Sequence, residues 1–236
     1  SEVIGKVWYN SGSNVWKVAV EAAGSWSAAP TLSQGRNIAY YAGDSNTSAL
    51  IFGGSISYPY NFPGNTEQYN GSAWTELANQ NTPRARGGSN GTATAALGFG
   101  GFPANPFPTT NVTLTEIWNG TTWTEVGDLT SSTSSNVGAG GPASPTAALS
   151  IGGAPGANMD IWNGTSWSEG ASLNTPASDL QGCGTATAAL AIGGSPGPRA
   201  RFTEEFNGTG WTELADSSTN RVSGAASGTS TAALQF

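Results

Sequence analysis

Carboxylates and guanidiniums recur in this sequence at fixed distances from tryptophan. Glu76, Glu125, Glu169 and Glu213 each stand two residues after a Trp, and Arg36, Arg84 and Arg221 each stand ten residues after one. Thr133 and Ala177 fill the ten-residue position in the other two copies. Paired carboxylates could hydrolyse a glycosidic bond, but that chemistry needs two of them about 5–9.5 Å apart across one bond. One Glu per repeat spreads them around the molecule instead. They read as solvated faces or as partners of the Arg side chains. The Arg positions read as hydrogen-bond donors to a carbonyl or acid of a neighbouring repeat, or as a ring of cations at a channel mouth. The chain has no histidine. That removes the usual general base, the usual transition-metal ligand and any Ser-His-Asp or Cys-His arrangement. The one cysteine, Cys183, lies between Gly182 and Gly184. It permits no intrachain disulfide and reads as a buried, inert thiol. The expectation is a protein that is not an enzyme, with no metal site and no cofactor.

Composition narrows the partners. The 236 residues carry a formal charge of −7, which disfavours non-specific nucleic-acid binding and anionic membranes. No apolar run approaches the roughly 20 residues of a membrane span, and the start, Ser1-Glu2-Val3-Ile4-Gly5, does not read as a signal peptide. Hydrophobic content of 37%, with nine Trp, can build a packed core despite 34 Gly. As an isolated domain, a monomer is expected.

The elements that position these residues form an internal repeat. The markers are Trp26, Trp74, Trp123, Trp167 and Trp211, spaced 44–49 residues apart. Four of them sit in near-copies of Glu116-Ile117-Trp118-Asn119-Gly120-Thr121-Thr122-Trp123-Thr124-Glu125, and Val20–Trp26 is a worn fifth copy. Between them recurs Ala-Leu-x-Ile/Phe-Gly-Gly, as in Ala96–Gly101, ending at the C-terminus as Ala233-Leu234-Gln235-Phe236. A period of this length without a 3.6-residue pattern predicts propeller blades rather than a helical solenoid. Each repeat reads as four short strands: a Gly-rich inner strand, the Ala-Leu run, the Glu-x-aromatic strand and a strand starting near the repeat Trp. Asn-Gly predicts a two-residue type I′ turn between the last two, pairing Tyr69 with Ser72 and Glu67 with Trp74. The repeat Trp rings read as glue between adjacent blades.

The strand count predicts how such a ring closes. Inner pairs begin near Asn37, Arg86, Ser135, Asp179 and Arg221, whereas the first outer pair is N-terminal, around Val15–Ser27. The expected fold is therefore all-β: a single domain, 1–236, forming a five-bladed β-propeller of four-stranded antiparallel blades. Residues 221–236 and 1–27 share the closing blade. The other blades span about 28–78, 79–127, 128–171 and 172–215. Gly5–Asn10, facing Asn14–Val18, reads as an additional hairpin.

The hydrophobic run ending in Gly-Gly, then an aromatic, a turn and Trp, resembles the kelch repeat, most closely in Glu67–Leu77 continuing to Thr82-Pro83-Arg84. This resemblance covers residues 15–236 and implies one blade per repeat. These repeats are shorter than is usual for kelch, and five blades is few. Some kelch proteins are oxidases with a copper site containing Tyr and His, which a chain without His cannot reproduce. Gly5–Asn10 with Asn14–Val18 also resembles a segment of phage tail- and head-fibre proteins, and the Ala-Ala-Leu repeats resemble virion proteins of marine phages. That resemblance implies a virion or extracellular location and a structural or host-adsorption role, with other virion proteins or a host-surface ligand as partner.

Recognition on a propeller is expected in loops that fail to repeat. Ser55–Thr66 holds Tyr58, Tyr60 and Phe62; Phe102–Thr113 holds Phe102 and Phe107; Ser195–Phe202 holds Arg199 and Arg201. Aromatics on a rim can stack on sugar faces beside polar donors, or they can pack each loop onto its blade. The leading expectation is a non-enzymatic phage virion module for surface or glycan recognition, or for decoration. The alternative is a lectin-like or protein-interaction scaffold propeller of cellular or designed origin, and a hydrolase is the third class.

Overall fold

The computed structural model describes residues 7–10, 15–18, 28–57, 61–103, 110–141, 145–154, 156–195 and 201–235. Two compact units divide the chain, Ser1–Pro30 and Thr31–Phe236. In the first, β1 (Val7–Asn10) and β2 (Val15–Val18) form an antiparallel hairpin, with Val7 opposite Val18 and Asn10 opposite Val15.

The second unit is a β-propeller arrangement of antiparallel sheets. The first blade is β3 (Tyr40–Ser45), β4 (Ser48–Phe52), β5 (Thr66–Tyr69) and β6 (Trp74–Leu77). After the short β7 (Arg84–Ala85), the second blade is β8 (Gly88–Thr92) and β9 (Ala95–Phe99), then, past β10 (Phe102–Pro103), β11 (Thr115–Trp118) and β12 (Trp123–Glu125). The third is β13 (Val137–Ala139), β14 (Ala148–Ile151), β15 (Met159–Trp162) and β16 (Trp167–Glu169). The fourth is β17 (Gln181–Thr185), β18 (Ala188–Ile192), β19 (Thr203–Phe206) and β20 (Trp211–Glu213). Last come β21 (Ala226–Thr229) and β22 (Ala232–Gln235), paired only with each other.

The described residues thus hold four complete blades, not the expected five, and the fifth repeat is an inner hairpin alone. The outer pair assigned to it from sequence, Val15–Ser27, is not seen as one: Val15–Val18 pairs with β1, and residues 19–27, with Trp26, lie outside the described residues. Inner strands β3, β8, β13, β17 and β21 are neighbours in that order. Their small residues follow from this crowding, since a Cβ on Gly138 would collide with the Ser89 carbonyl of the adjacent blade.

The Asn-Gly hairpin differs from the sequence expectation. Tyr69 pairs with Trp74 and Glu67 with Glu76, so the loop is Asn70–Ala73 rather than a two-residue turn. A type I′ turn needs positive φ at both central residues. Here Gly71 has φ 92° and Asn70 does not have positive φ. The Asn70 side chain closes the loop instead: its Oδ1 accepts the Ser72 and Ala73 amides at 3.0 and 2.9 Å. Asn119, Asn163 and Asn207 repeat the arrangement. The longer loop sets the two aromatics of each hairpin directly opposite each other. Ring centroids are 5.2–5.4 Å apart in Tyr69–Trp74, Trp118–Trp123, Trp162–Trp167 and Phe206–Trp211.

The core lies between successive blades. Trp123 of the second blade sits 4.6 Å from the Phe52 ring of the first and donates its Nε1–H to Thr66 Oγ1 at 2.9 Å. Trp167 repeats this on the second blade, 4.8 Å from Phe99 and 2.9 Å from Thr115 Oγ1. Where the Thr is replaced by Met159, Trp211 donates instead to the Ala171 carbonyl and joins the cluster of Ile151 and Met159. Backbone bonds add a second tie. The N–H of the second Gly in each Gly-Gly pair donates to the carbonyl that leads into the next blade: Gly54 to Arg84, Gly101 to Thr133, Gly153 to Ala177 and Gly194 to Arg221, all at 2.7–3.1 Å.

Replacing a buried Trp by Ala costs about 3–5 kcal/mol. Trp123→Ala should therefore lower the melting temperature by roughly 6–20 °C, while Glu125→Ala on the exposed face of the same strand leaves it nearly unchanged. Equal melting of the two variants in calorimetry would remove Trp123 from the interface role.

Candidate functional site

Twelve residues after each repeat Trp, the chain is about to enter an inner strand. Ile38, Arg86, Ser135, Asp179 and Ser223 occupy these positions, and all five have left-handed backbones, with φ of 45–59°. Such a conformation costs a non-glycine residue about 1–2 kcal/mol, and for a β-branched Ile it is a genuine outlier. A relay of backbone hydrogen bonds holds them. Arg86 N–H donates to the Ile38 carbonyl, Ser135 to Arg86, Asp179 to Ser135 and Ser223 to Asp179, at 2.5–3.0 Å.

These five residues rim a cavity of about 250 Å³, with Tyr41, Asn136, Val137 and Leu180 among its walls. Arg86 and Asp179 meet across the mouth, Nη2 to Oδ1 at 2.7 Å, and both remain partly open to solvent. Asn136 donates from Nδ2 to Ser150 Oγ at 2.8 Å, while its buried Oδ1 has no hydrogen-bond partner. Tyr41 is 56% exposed, yet the surrounding lumen atoms raise its phenol above the ordinary value, with a smaller push from Cys183. Cys183 is buried, and burial likewise pushes its thiol up. Among the described residues, no three of Cys, Asp and Glu converge so as to hold a metal ion.

The second strand of each blade returns to the end where the inner strand began. Loops after Gly-Gly therefore lie at the same end as the left-handed ring, and the Asn-Gly loops at the opposite end. Bridges Asn37–Ser55, Ser134–Ala154 and Ser178–Ser195 tie these loops to the segments carrying the ring.

The Arg residues singled out by spacing are not at this mouth. The side chains of Arg36 and Arg84 are fully buried and paired with Glu67 and Glu116, at 2.5 and 3.0 Å. Arg84 Nη1 also donates to the Gly100 and Leu114 carbonyls, as Arg36 does to Gly53 and Asn65. The partner acid belongs to the blade that the Arg leads into, and it opens the repeat motif rather than following the Trp. Glu125, Glu169 and Glu213 are exposed, and Glu76 meets Asn65 Nδ2 at 2.6 Å. The same buried acid accepts backbone amides of the leading loop in every blade. Ser33 donates to Glu67, Asn81 and Thr82 to Glu116, Thr130 to Asp160, and Asn174 and Thr175 to Glu204.

Of the rim residues expected from sequence, Phe62 is buried and its ring lies 5.5 Å from that of Phe102, joining the loops of the first two blades. Arg201 forms an exposed ion pair with Asp216 at 3.6 Å. Tyr58, Tyr60, Phe107 and Arg199 lie outside the described residues. The axial residues do not stand out in the sequence because no one residue type fills all five positions. Only their constant distance from Trp marks them.

No protein-family model matches this chain, and a search of curated proteins finds no match.

Tyr40 anchors the first blade to the second beside this site. It stacks on Phe52 at 5.2 Å and donates to the Gly100 carbonyl at 2.9 Å. Burial raises its phenol from 10.0 to about 12, outweighing the lowering by Arg84. The unfolded chain ionises first, so this contribution is complete below pH 10 and is lost as pH rises from 10 to about 12. Stability measured by melting should fall more steeply across that window in the native chain than in Tyr40→Phe, by up to about 3 kcal/mol. Parallel curves would exclude Tyr40 as the source.

Proposed function

We propose that this chain is a non-enzymatic recognition module of a phage virion, built as a kelch-like propeller that presents one end of its ring to a surface glycan. The observation that carries the reading is the axial mouth. Five positions share one strained backbone geometry, yet their side chains are Ile, Arg, Ser, Asp and Ser. Strain of this kind collects at functional sites, and variation on a constant frame is what ligand selection requires. The unequal loops stand at the same end.

The reading includes a fifth blade, completed by the N-terminal segment as its outer half. Leu234 is 66% exposed, whereas Leu50, Leu97, Leu149 and Leu190 at the same repeat position are 0–6% exposed. A cavity of about 460 Å³, lined by Tyr41, Ile51, Trp74 and Ser227 among others, opens beside the last hairpin. Covering Leu234 is worth about 1.5–3 kcal/mol. Deleting residues 1–23 should then lower the melting temperature by about 3–12 °C. A truncated chain that melts like the full one sinks this closure.

Recognition itself is tested on a glycan array. The native chain should bind, and the variant carrying Tyr58→Ala, Tyr60→Ala and Phe107→Ala should bind at least tenfold more weakly. Undiminished binding by that variant would take the rim loops out of the site.

A further inference from the structure

We infer that the axial mouth holds a single neutral sugar ring, an assignment that rests on the glycan-recognition reading and deepens it. The cavity of about 250 Å³ is small against the roughly 300–1,000 Å³ of drug-sized pockets, which suits one ring rather than an oligosaccharide. Its two charged groups are already joined, Arg86 Nη2 to Asp179 Oδ1 at 2.7 Å. The joined pair is neutral as a whole, so a charged ligand gains little net attraction from it unless it splits the pair. A hydroxyl needs no such split, because it both donates and accepts. Four of the five guanidinium N–H donors and the second Asp179 oxygen are left for it. Ser135 and Ser223 line the same cavity, and a serine hydroxyl has the same dual capacity.

Asn136 and Ser89 add polar groups, and the other side chains of the wall are mainly apolar. Tyr41 and Ile38 are among its lining residues and are 56% and 40% exposed overall, and an aromatic ring beside hydroxyl-binding groups can cover the C–H face of a sugar. Tyr41 is held in place through its backbone: its N–H donates to Ser89 Oγ at 3.1 Å, and Ser89 Oγ–H donates to its carbonyl at 2.8 Å. The ring that selects the ligand is therefore carried on the rigid inner strand, while the polar groups come from the left-handed positions around it.

Saturation-transfer NMR titrations test this, with galactose, glucose, mannose and N-acetylglucosamine as neutral probes, N-acetylneuraminic acid as the anion and glucosamine as the cation. At least one neutral probe should saturate, and the charged probes should not. Tyr41→Ala and Asp179→Asn should each weaken binding about tenfold or more, and Glu125→Gln should not change it. Asn adopts the left-handed conformation readily, and melting curves verify that both variants fold. Binding of charged probes alone, or neutral binding indifferent to both variants, overturns the inference. If no probe binds while the native chain still binds the glycan array, the axial assignment fails and surface recognition stands. Silence in both assays removes both.

Discussion

Every blade of this protein presents two faces, and the described residues contain no α-helix to cover either. Each apolar face must therefore be covered by the next blade, and that requirement organises the rest. Trp123 on Phe52 and Trp167 on Phe99 meet it with rings. The Gly-Gly pairs meet it with backbone. Both glycines have positive φ, which turns the second N–H toward the carbonyl of the following blade. The main-chain tie recurs after each of the four blades and the Trp contact between each two successive complete blades, so each blade is held to the next.

The buried acids show which part of the repeat is indispensable to this order. An Arg–Glu pair inside a protein is a doubtful source of net stability, because desolvation offsets much of the attraction. The third and fourth blades indeed have Thr133 and Ala177 in place of Arg, yet keep Asp160 and Glu204. What all four blades share is a carboxylate that accepts the amides of the leading loop. The acid positions the loop, and Arg36 and Arg84 neutralise it where they are present. Holding the loop in turn holds the left-handed residue that follows, so the axial ring depends on a carboxylate far out in the blade.

That dependence separates frame from content. Hydrogen bonds between main-chain atoms carry the axial ring and do not constrain its side chains. Residues as unlike as Ile38, Arg86 and Asp179 can therefore occupy equivalent positions without disturbing the blades. A ring of equivalent sites with freely chosen side chains suits the building of an asymmetric binding surface from a symmetric fold.

Periodicity alone was enough to read the strand content, the four-strand repeat and the order of the inner hairpins, because alternation, Gly-Gly and Asn-Gly act within a few residues. The hairpin register was not legible, since whether Asn70 enters the turn or caps it depends on a choice between positive φ and a side-chain hydrogen bond of similar energy. Nor were the partners of Arg36 and Arg84, because Glu67 and Glu116 lie 31 and 32 residues away. The axial mouth was hidden for a different reason. No one residue type fills its five left-handed positions, and their conformation is imposed by bonds between blades. Local sequence thus determined each blade, while the packing of blade on blade, which joins residues a whole repeat apart, decided where the charges pair and which residues line the mouth.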